Sequence, residues 1–209
     1  MSALRQKQLI AALAAALTLA AFLRAALPAS AQAPAAASLA GQLLVAAPSM
    51  GDPRFAQSVI LMVRHGKDGA FGIAINRPIA ERSLAALMEI IGESGTAAEG
   101  TVRIFAGGPV QPEIGFVIHS SDYHGAATIE INARLAVTSS RDILRDIIHN
   151  NGPKQRLIAF GYAGWAPGQL EGELARRDWV IAPAEAALVF EEDRDKVWDV
   201  AFARRMQDL

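Results

Sequence analysis

GYAGWAPGQLEGELARRDW, Gly161 to Trp179, is the stretch on which the fold turns. The apolar run Leu157 to Phe160 leads into it and Val180 to Ala182 leaves it, so both flanks read as buried strands. Between them lie a glycine-rich corner, Gly161 to Gly168, and a short helix, about Gln169 to Arg177. Pro167 stands just before the helix, where its missing N–H costs nothing. Leu170 and Leu174 are four apart and share a face. Arg176 and Arg177 fall in the last turn, where positive charge suits the helix dipole. Trp165 and Trp179 bracket the unit and are expected to pack the helix onto the sheet. The stretch predicts a compact strand–corner–helix–strand module and reveals no reaction.

Working outward, the sequence alternates strands and helices without a regular period. Gly41 to Ala46 is a strand. Ser58 to Arg64 is a continuous apolar run of strand length, expected to be buried on both faces. With Ala70 to Ile75 it forms a hairpin across a longer loop, His65 to Gly69, and Asn76-Arg77-Pro78 ends it. Ser83 caps a helix whose buried stripe is Leu84, Leu87, Met88 and Ile91. Glu93 to Gly100 is a polar loop. Val102 to Phe105 and Ile114 to His119 are strands. Ala127 to Ile131 and Leu135 to Thr138 make a second hairpin. Ser139 or Ser140 caps a helix carrying Ile143, Leu144, Ile147 and Ile148, stopped at Asn150-Asn151-Gly152-Pro153. Asp193 opens a last helix with Trp198, Ala201 and Phe202 inside. Strands outnumber helices, which predicts an α+β fold with a mixed, mostly antiparallel sheet.

The chain has 209 residues, 52% hydrophobic and 20% charged, with no cysteine and a formal charge of -1. That suits one domain with a real core. Disulfides, thiolate catalysis and Cys-type zinc sites are excluded, and no basic surface is forced. The start is unusual. Arg5 and Lys7 precede an apolar run, Leu9 to Leu23, short of the roughly 20 residues of a membrane span. Pro28 and Ala29-Ser30-Ala31 follow, completing the pattern of a secretory signal. Residues 1–31 are therefore expected to be a signal peptide, 32–40 a disordered lead-in, and 41–209 the folded domain. The expected compartment is the periplasm, or the cytoplasm if the extension does not function. The membrane is then met only transiently, through the signal peptide.

Three blocks carry a family resemblance: GQLLVAAPSMGDPRFAQSVILMVRHGKDGAFGIAINRPI at 41–79, FAGGPVQPEIGFVIHS at 105–120 and GYAGWAPGQLEGELARRDWVIAPA at 161–184. In this order they resemble the YqgE/AlgH family of bacterial proteins, from Leu39 onward. The resemblance implies a bent, split sheet forming a pseudo-barrel flanked by helices. It also implies an uncharacterised activity, with members often labelled transcriptional regulators and no catalytic residues to carry over. Members begin just before the block at Gly41, so the N-terminal signal here is an addition.

The candidate chemistry is thin. Gly107-Gly108-Pro109-Val110 follows a strand; it reads as a tight corner rather than an anion nest. His119, Ser120, Ser121, Asp122 and His124 cluster at a strand end, without HExxH or G-x-S-x-G spacing. His65 and Asp68 flank a glycine turn, and Gly66, Gly69 and Gly72 form no dinucleotide fingerprint. Glu171 and Glu173 are two apart on a helix and point to different sides. Asp52, Arg54, Asn76 and Arg77 sit at loop ends, where ion pairing or capping is expected. The leading reading is a non-enzymatic binding or regulatory protein with no catalytic, cofactor or metal residues. Its expected binding surface comprises Gly107, Gly108, Pro109, Val110, Gly161, Gly164, Trp165, Gly168 and Gln169. The expected partner is a protein or small molecule rather than nucleic acid. The alternatives are an envelope hydrolase using Ser120 or Ser121 with His119 or His124, and a DNA-binding regulator, for which no helix-turn-helix is found.

Overall fold

The computed structural model describes residues 38–92 and 100–206; the expected signal peptide, the lead-in before Ser38 and the loop from Glu93 fall outside them. The elements are β1 (Gln42–Ala46), β2 (Val59–Gly66), β3 (Gly69–Ala74), β4 (Pro78–Ser83), α1 (Leu84–Ile91), β5 (Thr101–Ala106), β6 (Val110–Ser120), β7 (Thr128–Glu130), β8 (Leu135–Thr138), α2 (Asp142–Ile148), β9 (Arg156–Trp165), α3 (Gln169–Ala175), β10 (Trp179–Pro183), α4 (Ala186–Phe190) and α5 (Val197–Ala203). The strands form one curled half-barrel sheet in the order β10-β1-β2-β3-β9-β6-β8-β7, with β5 on β9 and β4 on β5. Every pairing is antiparallel except β5 with β9. The expected α+β class, with a mixed, mostly antiparallel bent sheet, is what the chain forms.

The apolar runs are continuous because the sheet is covered on both faces. In β1, Leu43 and Val45 face the inner layer with Leu61 and Ile73 of the adjoining strands, while Leu44 and Ala46 face outward with Ile60 and Met62. The inner layer is closed by Leu188 and Val189 of α4 and Val197 and Ala201 of α5. One outer layer lies under α3, through Leu170. The other lies under α1 and α2, where Leu87, Ile143 and Ile147 meet Ile104, Val117 and Ile158.

β9 serves all three layers. Leu157 and Ala159 face inward; Ile158 and Phe160 face the layer under α1 and α2. Gly161 then takes a positive φ of 73°. It breaks the alternation of β9, and opposite it β6 carries the extra residues, Gln111 to Ile114, between its pairings at Val110 and Gly115. Beyond Gly161, Tyr162 still packs inward, but Ala163 and Trp165 face the layer under α3.

Several expectations shift. The corner expected from Gly161 is strand as far as Trp165, and the actual turn is Ala166 to Gly168. The helix after it ends at Ala175, because Arg177 adopts a positive φ of 61°. The β2–β3 loop is tight, with Gly66 opposite Gly69. β4 continues past Pro78, where the chain was expected to leave the sheet; its exposed residues lack the alternation that marks a strand. The short α4 also escaped the pattern. Of the lead-in, Ser38 and Leu39 are held: Leu39 N–H donates to His65 Nδ1 (3.0 Å) and Ser38 Oγ–H to His65 O (3.0 Å). Ser83 caps its helix as expected, its Oγ accepting from Ala86 N–H (3.1 Å). The N-cap of α2, however, is Arg141, with Ser140 Oγ accepting from Asp142 N–H (3.1 Å) just before it, and the last helix begins at Val197 rather than at Asp193.

Candidate functional site

The two glycine-rich segments singled out in the sequence meet in the fold. A side chain at Gly107 would lie 2.2 Å from Gly161 O, and one at Gly161 would lie 2.4 Å from Gly108 O. Backbone crosses backbone there, and no Cβ fits. Gly107 N–H donates to Phe160 O (2.7 Å), so its amide holds the crossing together rather than facing a ligand. Gly107, Gly108 and Gly161 thus form the floor joint rather than the surface. Gly168, with φ 76°, precedes α3 and has open space around it.

The other five expected residues come together. Pro109, Val110, Gly164, Trp165 and Gln169 line a groove of about 380 Å³, closed on its far side by Met50 to Phe55 and by Trp179. Phe55 packs edge-on against Trp179, with ring centroids 5.6 Å apart, which fixes that wall. Trp165 and Trp179 are buried, at right angles to each other with centroids 6.1 Å apart. Both indole N–H groups donate to the same atom, Glu173 Oε2, each at 2.8 Å. Glu173 Oε1 accepts from Gln169 Nε2 (2.9 Å). Glu173 is therefore the clasp of the module. Its neighbour Glu171 points elsewhere, to His65 Nε2 at 3.1 Å. Sequence reasoning saw that the two carboxylates diverge but missed the clasp. The available signal was Glu173's position eight residues after one indole and six before the other.

Charge on the groove rim is arranged in two pairs. Asp52 Oδ2 meets Arg54 Nη2 at 2.7 Å, and the hydrogen bonds from Arg54 hold the Asp52 carboxyl below its usual range. Arg176 Nη2 meets Asp178 Oδ2 at 2.9 Å. Asn76 and Arg77 do not join them. Asn76 accepts from Val59 N–H (2.8 Å) and donates to Gln57 O (2.8 Å). Arg77 donates to Ser58 Oγ (2.9 Å) and Ala56 O (2.7 Å). These residues bolt the 52–58 loop to the end of β3, the capping role expected of them.

The serine–histidine cluster is taken up by structure. His119 is buried, with Nδ1 2.8 Å from the carbonyl oxygen of Ser120, so Nδ1 carries the proton. Nε2 then accepts from Thr138 Oγ1 (2.9 Å), which accepts from Thr128 Oγ1 (2.6 Å), which accepts from Gly125 N–H (3.1 Å). Every donor in this chain has one acceptor. Burial pushes the His119 pKa down. Ser120 donates to Asp122, Ser121 donates to Ala133 O (2.8 Å), and His124 lies on the surface against Glu130 (3.4 Å). Among the described residues no serine is hydrogen-bonded to an imidazole, the contact a nucleophile–base pair needs. No group of three His, Asp or Glu there is placed to hold a metal ion. α1 and α2 are separated by four strands and bury their apolar faces in one layer, so they make no helix-turn-helix.

The fold and groove define an α+β protein organised around a tryptophan-clasped corner. The chain belongs to the AlgH-like family, whose profile matches residues 43–209. It is 45% identical over 162 residues to a UPF0301 protein of Methylococcus capsulatus, covering 78% of this chain and 88% of the relative. A UPF0301 protein of Sphingopyxis alaskensis is also 45% identical, over 78% of this chain and 87% of its own. Among solved structures, the AlgH protein from Pseudomonas aeruginosa superposes with a TM-score of 0.71 at 38% identity, covering 81% of this chain and 89% of that one. A Corynebacterium diphtheriae protein follows at a TM-score of 0.59 and 27% identity, covering 77% and 84%.

Proposed function

We propose that this AlgH-like chain is a binding or regulatory protein without a catalytic step, and that it takes its partner in the groove between Pro109-Val110, Gly164 and α3. The observation that carries this reading is the meeting of the two expected glycine corners around one cleft, through Pro109 and Val110 of the first and Gly164, Trp165 and Gln169 of the second. The Ser/His cluster, by contrast, spends its polar atoms on internal hydrogen bonds. The N-terminal segment supports a site of action in the periplasm, with a protein or small-molecule ligand rather than nucleic acid.

Capture from the native host's envelope fraction tests the reading, using wild type and a folded Val110→Arg variant whose side chain fills the groove. A partner retained by wild type and lost by the variant is the expected result. Hydrolysis of ester, peptide or phosphoester substrates that disappears in a folded His119→Ala/His124→Ala double variant overturns it.

A further inference from the structure

The groove contains an open piece of sheet edge, which follows from the alternation of the backbone. Along β3, Ile75 N–H turns to Val59 O of β2 (2.9 Å), whereas Ala74 N–H turns the other way, to Gly107 O (2.8 Å). Ala70 and Gly72 share the direction of Ala74. They therefore exchange hydrogen bonds with their partners on β9, Trp165 and Ala163. Gly164 lies between those two, opposite Phe71, so its N–H and C=O point to the other edge of β9.

That edge is covered by β6 only as far as Val110, opposite Tyr162. Before Val110 the chain leaves that edge and crosses β9, where a Cβ on Gly108 would lie 2.1 Å from the carbonyl carbon of Tyr162. The next outward residue along β9, Ala166, is closed by Gln169: its N–H donates to Gln169 Oε1 (3.1 Å), and its C=O accepts from Gln169 N–H (3.0 Å). The alternation directs the one donor and one acceptor of Gly164 into the groove, past the last β6 pairing. Gly164 is exposed, and it carries no side chain to keep another backbone away.

Resting on the reading of this groove as the binding site, we infer that it receives a short extended peptide of a protein partner, added as a strand to β9 at Gly164. One residue of that peptide exchanges two backbone hydrogen bonds with Gly164. Its neighbouring side chains lie against Val110 and Pro109 on one side and the Phe55 wall on the other. The rim selects for acidic flanks. Arg54 and Arg176 are 67% and 64% exposed, while their partners Asp52 and Asp178 are 33% and 30% exposed. The arginine is the more exposed member of each pair, so an approaching acidic chain has access to both cations.

The test is amide exchange and peptide titration followed by NMR on the purified protein. In the free protein the Gly164 amide exchanges fast, between protected amides at Ala163 and Trp165. The probe is acetyl-Asp-Val-Asp-Val-Asp-amide. It is expected to shift and protect the Gly164 amide. Methylating the central amide nitrogen of the probe removes one hydrogen bond and weakens binding about tenfold or more, as does replacing its acids by lysine. Gly164→Pro, which lacks the N–H, loses binding, whereas Gly164→Ala, which keeps it, still binds.

A Gly164 amide already protected in the free protein overturns the inference. Protection that grows with protein concentration means that a second copy fills the edge; constant protection means that this chain does. Equal binding of the N-methylated probe overturns it too. If no probe touches Gly164 while Val110→Arg still loses a captured partner, strand addition fails and the groove reading stands. If the probe binds as expected while capture ignores Val110→Arg, the strand-addition site is supported and the groove is not where that partner binds.

Discussion

Glu173 and His119 place buried polar groups under opposite constraints. Glu173 satisfies two indole N–H groups that have no other acceptor, so removing its carboxylate leaves both donors unpaired in an apolar layer. Glu173→Ala is expected to lower stability by about 3 kcal/mol, from about 1–3 kcal/mol for each orphaned donor. Trp165→Ala and Trp179→Ala are each expected to cost roughly 3–5 kcal/mol through lost packing. Urea midpoints of the three variants check this; unchanged midpoints mean that the clasp does not bear on stability. His119 responds to pH instead. Its folded pKa lies below that of the unfolded chain, with burial the first cause. The unfolded state therefore binds the extra proton. The stability His119 contributes is complete above about pH 6.5 and is lost as pH falls through the lower folded pKa. His119→Gln is expected to flatten that part of the stability–pH curve. A slope that stays the same refutes a His119 pKa lowered by folding.

At the scale of the element, the central module was legible because its signals agree: apolar runs, Pro167 before the helix, and Leu170 and Leu174 on one face. β4 was not, since an exposed edge strand need not alternate. The site was half legible. Pro109, Val110, Gly164, Trp165 and Gln169 were named from glycine-rich composition, but the same rule also drew in Gly107, Gly108 and Gly161, which form a close backbone crossing. Composition marks both a close backbone crossing and an open edge, and only the pairing register separates them. Gly161→Ala tests the joint. A Cβ there meets Gly108 O, so the variant is expected to unfold or to lose several degrees in Tm. A normal Tm shows that the crossing gives way. Arg194 holds α4 in a comparable manner. It is buried, donates to Val189 O (2.9 Å) and Leu188 O (3.4 Å) at the end of that helix, and reaches Ile75 O of the chain beyond β3 (3.4 Å). Arg194→Met keeps the length but leaves those carbonyls unmet, and is expected to loosen amide protection in α4 ahead of the sheet.

At the scale of the molecule, the N-terminal expectation remains a proposal with a direct measurement. Cleavage after Ala31 gives a product beginning at Gln32, read by N-terminal sequencing of protein from the native host. A cytoplasmic product still starting at Met1 ends the export reading. The arrangement of β9 has a further consequence, which concerns time rather than shape. This strand is the only described link between the β1–β3 and β6–β8 parts of the sheet, yet it is made after both. A chain emerging from the ribosome holds two unjoined sets of strands until Arg156 to Trp165 appears, and β1 waits longer still for β10. Such late, distant pairings close slowly. Nascent chains halted before Arg156 should be digested readily by protease, and protection should rise in two steps, first with β9 and then with β10. Until then the chain remains open enough to be threaded through a narrow channel.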